Sequence, residues 1–441
     1  MDAPVQGALS RLPHELLAEI FLHHLELEPE DDMWPFRPLP LPSPLLLGRI
    51  CSTWRHIVHG TPKLWSSFSL RIRGKIEQGK VDHVSFAKAW LARAHPYPLS
   101  VSLRVDLSIK SLCRIIDAIQ LSADRLQVIK LDLPFLYYRP LVDIAAGSMA
   151  MLESVDLRLP ILYTSKATPW AKRITAFTTA PRLRSVTSRF YEPNFFIDRL
   201  QMPWSQLTKL RMITGFYCDG LFHIFLQCTN LIDCTLELGV WENSMSILPI
   251  VIFPHLQKLD VAFTGPGDQF QFFQPLNLPA LKDLTVTIFG DRSGFYPIFM
   301  EFTLRSALDL ERLRFSGVNI CSADLLQFLS LMQSLTELNI LLSPCLDDNL
   351  FDALCYRGMD SQNLVPKLEK LLISRDMHDG IDVIANMIES RWWIDDTPRA
   401  VSRFERVDVF FNDREIDVRV QARLERCRRE GLNLNLRCGR Y

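Results

Sequence analysis

The stretch LQKLDV at 256–261 is followed by LKDLTV at 281–286, and both follow the pattern Leu-x-x-Leu-x-Leu, in which other apolar residues replace some leucines. The pattern recurs along most of the chain, in copies that begin at Leu126, Leu152, Leu183, Leu207, Leu231, Leu256, Leu281, Leu310, Leu335, Leu368 and Phe404. Subtracting successive start positions gives spacings of 24 to 36 residues. Self-similarity at this interval predicts one continuous array of similar structural units.

The repeat also predicts the fold class. Leucine-rich repeats have ~20–29 residues per unit, so the central copies fit that length and the ends of the array carry insertions. Apolar and polar residues alternate within each copy, as in a strand. Stretches with helical spacing, such as 111–120, 220–228, 322–332 and 380–393, fall between copies. We therefore predict an α/β fold, an irregular solenoid with a curved parallel sheet on its concave side and helices on its convex side. Such arrays usually provide binding surfaces.

The composition is that of a folded protein without a strong charge bias. Of the 441 residues, 48% are hydrophobic and 22% are charged, and 49 basic and 50 acidic side chains leave a net charge of −1. This balance opposes global attraction to nucleic acid or to an anionic membrane. No apolar run approaches the ~18 residues of a membrane span, and the N-terminus has no signal pattern. The ten cysteines include no C-x-x-C pair, so we expect reduced core thiols, such as Cys51 and Cys234, in a cytosolic or nuclear protein.

The first sixty residues differ from the repeats. Apolar residues from Leu12 to Phe21 recur at helical spacing, and a second series runs from Leu45 to Val58. Between them, residues 26–44 combine six prolines with an acidic run, which predicts an extended loop. A helical segment of this size can bury only a small core. We therefore expect it to complete its burial against another body.

These N-terminal residues resemble a known family. The segments LPHELLAEIFLHHL at 12–25 and LLLGRICSTWRHIVHGTPKLWSSFSL at 45–70 are similar to an F-box, in the form found across large families in mushroom-forming fungi. The matching elements are the Leu12-Pro13 start, the step Cys51-x-x-Trp54-Arg55, and the following Leu64-Trp65. An F-box followed by leucine-rich repeats is a known family architecture. The loop at 26–44 departs from the family pattern, which has only a short turn there.

The resemblance implies an F-box helical domain at 8–62 that docks on a Skp-type adaptor and through it on a cullin. The solenoid would then occupy 63–441, including a C-terminal cap at about 414–441. The residues that the resemblance assigns to the adaptor contact are Leu12, Pro13, Leu16, Leu17, Ile20, Phe21, Leu46, Leu47, Ile50 and Trp54. For the last four, the sequence does not separate adaptor contacts from helical core. In a second interpretation the helices only cap the first repeat, as a solenoid end requires, and the two roles are compatible.

The concave face of the predicted sheet is the second candidate surface. In each copy the residue between the last two leucines points to solvent. This gives the candidate target-binding residues Lys130, Asp156, Arg211, Asp260, Arg314, Asn339 and Asp408. Their mixed signs oppose nucleic-acid binding, which needs a basic stripe, and suit a protein or peptide partner. Leu372, Phe410 and Phe411 are apolar where polar residues are expected, so they are either binding anchors or residues buried beneath the C-terminal helix.

The sequence contains no motif for catalysis or metal binding. It has no phosphate-binding glycine loop, no G-x-S-x-G and no H-E-x-x-H, and His56-x-x-His59 has no second ligand pair. The leading hypothesis is a non-enzymatic substrate-recognition subunit of a Skp–cullin–F-box ubiquitin ligase, without cofactors and monomeric outside that complex. The first alternative is a leucine-rich-repeat scaffold without ligase function. The second is an enzyme with a site in an insertion, at 262–280 or 341–367.

Overall fold

A computed structural model divides the chain into two compact units, residues 1–188 with 198–203 and residues 189–197 with 204–441. The residues that the structure describes are 12–26, 43–72, 82–105, 112–134, 137–138, 141, 147–159, 173–190, 200–214, 219–239, 249–265, 269–289, 294–342, 346–359, 362–375, 381–394, 399–411 and 417–438. Most of the predicted loop at 26–44 lies outside them, as do the first residues of the predicted helical domain.

The first unit begins with helices and continues with parallel strands. Its helices are α1 (His14–Glu26), α2 (Pro44–Leu47), α3 (Ser52–Gly60), α4 (His83–Arg93) and α5 (Leu112–Gln120), with 3-10 helices at Pro62–Trp65 and Ala123–Arg125. Its strands are β1 (Ser67–Ile72), β2 (Leu99–Val105), β3 (Leu126–Asp132), β4 (Ser154–Arg158) and the first part of β5 (Ser185–Phe190). The strands lie in chain order, and β1 to β4 pair in parallel.

The second unit continues the same alternation. Its helices are α6 (Asp219–Gln227), α7 (Phe295–Ser306), α8 (Ser322–Ser330), α9 (Asp348–Leu354), α10 (Ile381–Ser390) and α11 (Val418–Arg429), with 3-10 helices at Trp204–Gln206 and Gln269–Phe273. Its strands are β6 (Lys209–Thr214), β7 (Asp233–Leu238), β8 (Val251–Ile252), β9 (Lys258–Phe263), β10 (Leu276–Asn277), β11 (Asp283–Ile288), β12 (Arg312–Ser316), β13 (Glu337–Leu341), β14 (Lys370–Arg375), β15 (Arg406–Phe411) and β16 (Asn433–Cys438). The order is β6-β7-β9-β11-β12-β13-β14-β15-β16, and β8 pairs separately with β10.

The repeats stack in register. Leu259 of β9 lies opposite Cys234 of β7 and Leu284 of β11, so the second apolar position of three successive copies forms one row. Along these strands, buried apolar residues alternate with more exposed positions. A slip of one residue would turn every buried side chain to solvent, so the repeat pattern specifies register as well as strand position. The predicted α/β fold with a long parallel sheet is confirmed within each unit.

Helices cover the apolar side of the sheet in the second unit. The Phe299 ring of α7 lies 5.6 Å from that of Phe315 on β12 and 5.2 Å from that of Phe328 on α8. It also lies 5.7 Å from the ring of Phe273, in a 3-10 helix that precedes β10. All four rings are at most 1% exposed. The cluster ties three helical segments to one strand, which leaves the opposite side of the sheet to polar residues.

The cysteine prediction is only partly correct. Cys228, Cys234 and Cys427 are buried, whereas Cys51 and Cys113 are exposed, and all are free thiols. Burial raises the pKa of Cys228 to about 12, so this thiol stays protonated. The expectation that Cys51 is a core residue is wrong: its Sγ caps α3 and accepts a hydrogen bond from the backbone N–H of Trp54 at 3.4 Å.

A buried arginine organises the insertion predicted at 341–367. Arg391 is fully buried, and its guanidinium donates to the carbonyl oxygens of Leu354, Leu364 and Val365 at 2.7, 2.5 and 3.1 Å. Burial lowers its pKa to about 10, so the group stays charged at neutral pH. Three carbonyl acceptors satisfy a cation that would otherwise be costly to bury. The described part of this insertion is therefore anchored to the fold.

Gly317 follows β12 where a side chain has no room. Its φ is +66°, and a Cβ built there would lie 2.2 Å from the carbonyl oxygen of Ile288. Gly317→Ala is expected to lower the free energy of unfolding by about 2–3 kcal/mol, because left-handed backbone alone costs about 1–2 kcal/mol for other residues and the contact adds to it. Urea denaturation measures the loss. Gly294→Ala is the control, since Gly294 has a φ of +93° and open space around a Cβ. Equal losses of stability in the two variants would contradict a contribution from the contact between Cβ and the Ile288 carbonyl oxygen.

Candidate protein-binding surfaces

The first candidate surface lies on the N-terminal helices, where the structure separates core from exterior. α1 packs against α3, and the ring centroids of Phe21 and Trp54 are 4.6 Å apart. Leu17 and Phe21 are each 2% exposed, and Leu47 of α2 is also buried. These three residues, assigned to adaptor contacts by resemblance, have little surface to offer. Their burial holds α1 and α2 in place.

Large apolar side chains remain exposed beside this core. Leu16 is 51% exposed and Ile50 is 61% exposed. The exposed set, named the apolar helix surface, is Leu16, Ile20, Leu45, Leu46 and Ile50. Leu16 and Ile20 lie one turn apart on the same side of α1. Single exposed leucines are ordinary, and five large apolar side chains exposed within one short helical segment make this segment a candidate binding surface.

Three other assigned residues complete this description. Pro13 is exposed, while Leu12 and Trp54 are half-buried. Leu45 belongs to the apolar helix surface although the sequence did not assign it to a site. Its only signal was the run of three leucines at 45–47, and packing alone separates buried Leu47 from its exposed neighbours.

The same helices are attached to the first strand–helix pair. Trp65 is 1% exposed, and its indole N–H donates to the carbonyl oxygen of Val58 at 2.8 Å. The Trp90 indole of α4 donates to the Trp65 carbonyl oxygen at 2.8 Å, and the two rings lie 4.8 Å apart. Trp65 therefore connects α3 with α4, the first helix after β1.

The second candidate surface is the side of the second unit's sheet that faces away from its helices, named the polar sheet face. The register places one residue of each main strand in a single row: Lys209, Asp233, Lys258, Asp283, Arg312, Glu337, Lys370, Arg406 and Asn433. Charges alternate in sign from β6 to β14, and the alternation ends at Arg406 of β15. The remaining charges on this face between β6 and β13 are Arg211, Glu237, Asp260 and Arg314.

The alternating charges form ion pairs with one another. Asp283 is 5% exposed and lies 2.9 Å from Nε of Arg312 and 3.1 Å from Nη1 of Arg314. Arg314 also lies 2.9 Å from Oε1 of Glu337, and the Asn339 amide donates to that same oxygen at 3.0 Å. Because these groups already satisfy one another, this stretch has little net charge to offer a partner.

The predicted target-binding residues differ in their exposure. Lys130 is exposed, whereas Arg211, Asp260, Arg314 and Asn339 are partly exposed. For Asp260, burial is the main cause of a raised pKa, although Lys258 opposes it.

The expectation of solvent-facing side chains is wrong for two residues of this set. Asp156 is 8% exposed and lies 2.7 Å from Nη2 of Arg158. Asp408 is 3% exposed, lies 2.5 Å from Nε of Arg406, and accepts from the Asn435 amide at 2.9 Å. In both cases a neighbouring long side chain covers a short carboxylate.

Phe410 lies on the polar sheet face, beneath an arginine of the last strand. The Arg437 guanidinium carbon lies 5.6 Å from the Phe410 ring centroid. The C-terminal helix instead packs on α10, where Arg423 Nη2 lies 2.6 Å from Glu389 Oε2. The sequence offered two explanations for apolar residues such as Phe410: binding anchors, or residues buried beneath the C-terminal helix. For Phe410 the second explanation is wrong. The Phe411 side chain lies outside the described structure.

No protein-family model matches the chain, and a search among curated proteins finds no match. Within the described ranges, no group of three or more His, Cys, Asp or Glu side chains is placed to hold a metal ion. Among the described helices, a search for membrane-spanning segments finds no candidate. The two surfaces are therefore interpreted from their own chemistry.

Proposed function

We propose that this chain is the substrate-recognition subunit of a Skp–cullin–F-box ubiquitin ligase. It would bind a Skp-type adaptor, and through it a cullin, with the N-terminal helices, and a target protein with the repeats. The chain would be non-enzymatic, without a cofactor, cytoplasmic or nuclear, and monomeric outside the complex. Its role would be to hold the target near the ubiquitin-charged enzyme and so raise the effective concentration of target lysines.

The apolar helix surface is the observation that carries the proposal. Leu16 and Ile20 are about half exposed on α1, while Leu17 and Phe21 on the same helix are buried. A helix with apolar residues on both its packed side and its outer side is suited to lie between two bodies. The F-box resemblance covers these same residues and supplies the class of partner.

The direct test is binding of the full chain to purified Skp-type adaptor. A Leu16→Asp/Ile20→Asp double variant is expected to bind at least about 100-fold more weakly, because it would bury two unpaired carboxylates in an apolar contact. Both side chains are about half exposed, so the fold is expected to survive. Isothermal titration calorimetry measures the affinity, and circular dichroism checks the fold.

The matched control is Leu121→Asp/Leu304→Asp. These two leucines are 83% and 65% exposed and lie outside the apolar helix surface, so adaptor affinity should match that of the unaltered chain. Unchanged binding by the Leu16→Asp/Ile20→Asp variant would refute the assignment of α1. If the unaltered chain does not bind, the ligase proposal falls. The scaffold alternative then remains, in which the helices serve only as the cap held by Trp65 and Trp90.

A further inference from the structure

The polar sheet face changes its charge balance between β13 and β14. From β6 to β13, the residues of the row and the four further charges named above amount to five cations and five anions. From β14 to β16 the same face carries Lys370, Arg406 and Arg437 against one anion, Asp408. The C-terminal end of the face is therefore positive, whereas the rest is neutral.

At the C-terminal end of the polar sheet face, the one anion is buried, whereas the cations are exposed. Asp408 is 3% exposed, but the side chains of Arg406 and Lys370 are 51% and 50% exposed. Lys370 also lies 3.5 Å from Glu405, whose side chain is 60% exposed. An ion pair so open to solvent contributes little, so Lys370 remains accessible to a partner's carboxylates. Arg406 pairs through Nε with the buried Asp408, and about half of its side chain remains exposed.

Apolar side chains lie at the same end of the face. Leu341, Leu372 and Phe410 are partly exposed on three consecutive strands, β13, β14 and β15. Within strands β6 to β12, the one large apolar residue on the described face is Ile213, which is 7% exposed, while Phe289, one residue beyond β11, is 58% exposed. Aromatic residues and arginine, as in the pair of Phe410 and Arg437, are enriched at the cores of protein interfaces.

We propose that the surface formed by Leu341, Leu372, Phe410, Lys370, Arg406 and Arg437 binds an extended acidic segment of a protein partner that carries a large apolar side chain. The apolar side chain would contact Leu372 and Phe410, and the flanking carboxylates would pair with the three cations. Charge complementarity selects an acidic partner, and the apolar centre selects a peptide over a nucleic acid. That this partner is a ligase target rests on the proposed function; the binding itself does not require the adaptor.

The test is selection of displayed random dodecapeptides on the immobilised full chain. Enriched sequences are expected to combine several Asp or Glu residues with one Leu, Met, Phe or Trp. The best peptide, made synthetically with a fluorescent label, then gives an affinity by fluorescence anisotropy. Absence of an enriched class, or enrichment of basic peptides, would overturn the proposal. So would equally tight binding of a labelled twelve-nucleotide oligothymidine, which would favour a general polyanion site.

Two substitutions test whether the selected peptide binds at the proposed surface. Arg437→Glu and Phe410→Ala are each expected to weaken the selected peptide about tenfold or more, a loss typical of central interface residues. Lys258→Glu makes the same charge reversal as Arg437→Glu in the neutral part of the face and should leave the affinity within about twofold. Equal losses for Lys258→Glu and Arg437→Glu would refute a local site. Adaptor binding by the Arg437→Glu variant should be unchanged. The peptide-binding proposal and the ligase proposal can therefore fail independently of each other.

Discussion

Phe299→Ala is expected to lower the free energy of unfolding by about 3–5 kcal/mol, the range found when a large aromatic residue is removed from a core. Phe299 is fully buried, and its ring lies 4.8 Å from that of Phe295 and 5.2 Å from that of Phe328. Alanine would leave a cavity shared by α7, α8 and β12, because backbone on three sides limits collapse. Urea denaturation followed by circular dichroism measures the loss.

Leu304→Ala on the same helix is the control for Phe299→Ala. Leu304 is 65% exposed, so its loss should stay below about 0.5 kcal/mol. Because the chain has two compact units, hydrogen–deuterium exchange is needed to locate the effect. Protection should fall in α7, α8 and β12 and persist in β1 to β3. A loss near that of Leu304→Ala would mean that the cluster packs less tightly than its ring distances indicate.

Trp65→Ala is expected to cost a similar ~3–5 kcal/mol, in the first unit. The indole is 1% exposed, packs 4.8 Å from the Trp90 ring and donates to the Val58 carbonyl oxygen at 2.8 Å. Its removal takes away apolar burial and leaves that buried carbonyl without this donor, which adds to the cost. Exchange of backbone amides in α3 and β1 should rise most.

Trp65→Phe provides the graded comparison for Trp65→Ala. Phenylalanine keeps most of the buried area and loses the hydrogen bond, so the expected cost is about 1–2 kcal/mol. Lys63→Ala in the same 3-10 helix, at an exposed position, should have almost no effect. If α3 kept its protection in Trp65→Ala, the connection between α3 and α4 would not depend on this tryptophan.

Strand positions and register could be predicted because both depend on local periodicity and on repetition. Leu259 and Leu284 occupy the same place in successive copies, and they lie side by side in the sheet. Each repeat packs mainly on copies of itself, so one pattern specifies both a strand and its neighbours. The C-terminal helix was also expected, and α11 lies within the cap predicted at about 414–441.

Side-chain environments could not be predicted in this way. Asp156 and Asp408 occupy positions where the period points to solvent, yet both are buried. The cause is the identity of nearby cations and how their flexible side chains settle, as with Arg158 over Asp156. Cys51 occupies an apolar position of the sequence pattern, but it lies at the N-terminal end of α3 and caps that helix. At a helix end, a side chain can bond to free backbone N–H groups and need not pack in the core.

By itself, the sequence determined the repeat, its register, the alternation of strand and helix, and the helical character of the N-terminal segment. All of these follow from periodic burial along the chain. Only the tertiary structure decided that Leu17, Phe21 and Leu47 are core while Leu16, Ile20 and Ile50 are exposed. It likewise decided that Phe410 lies beneath Arg437, on the neighbouring strand. The Phe21–Trp54 and Phe410–Arg437 contacts join residues 33 and 27 positions apart, and a local period does not encode such pairs.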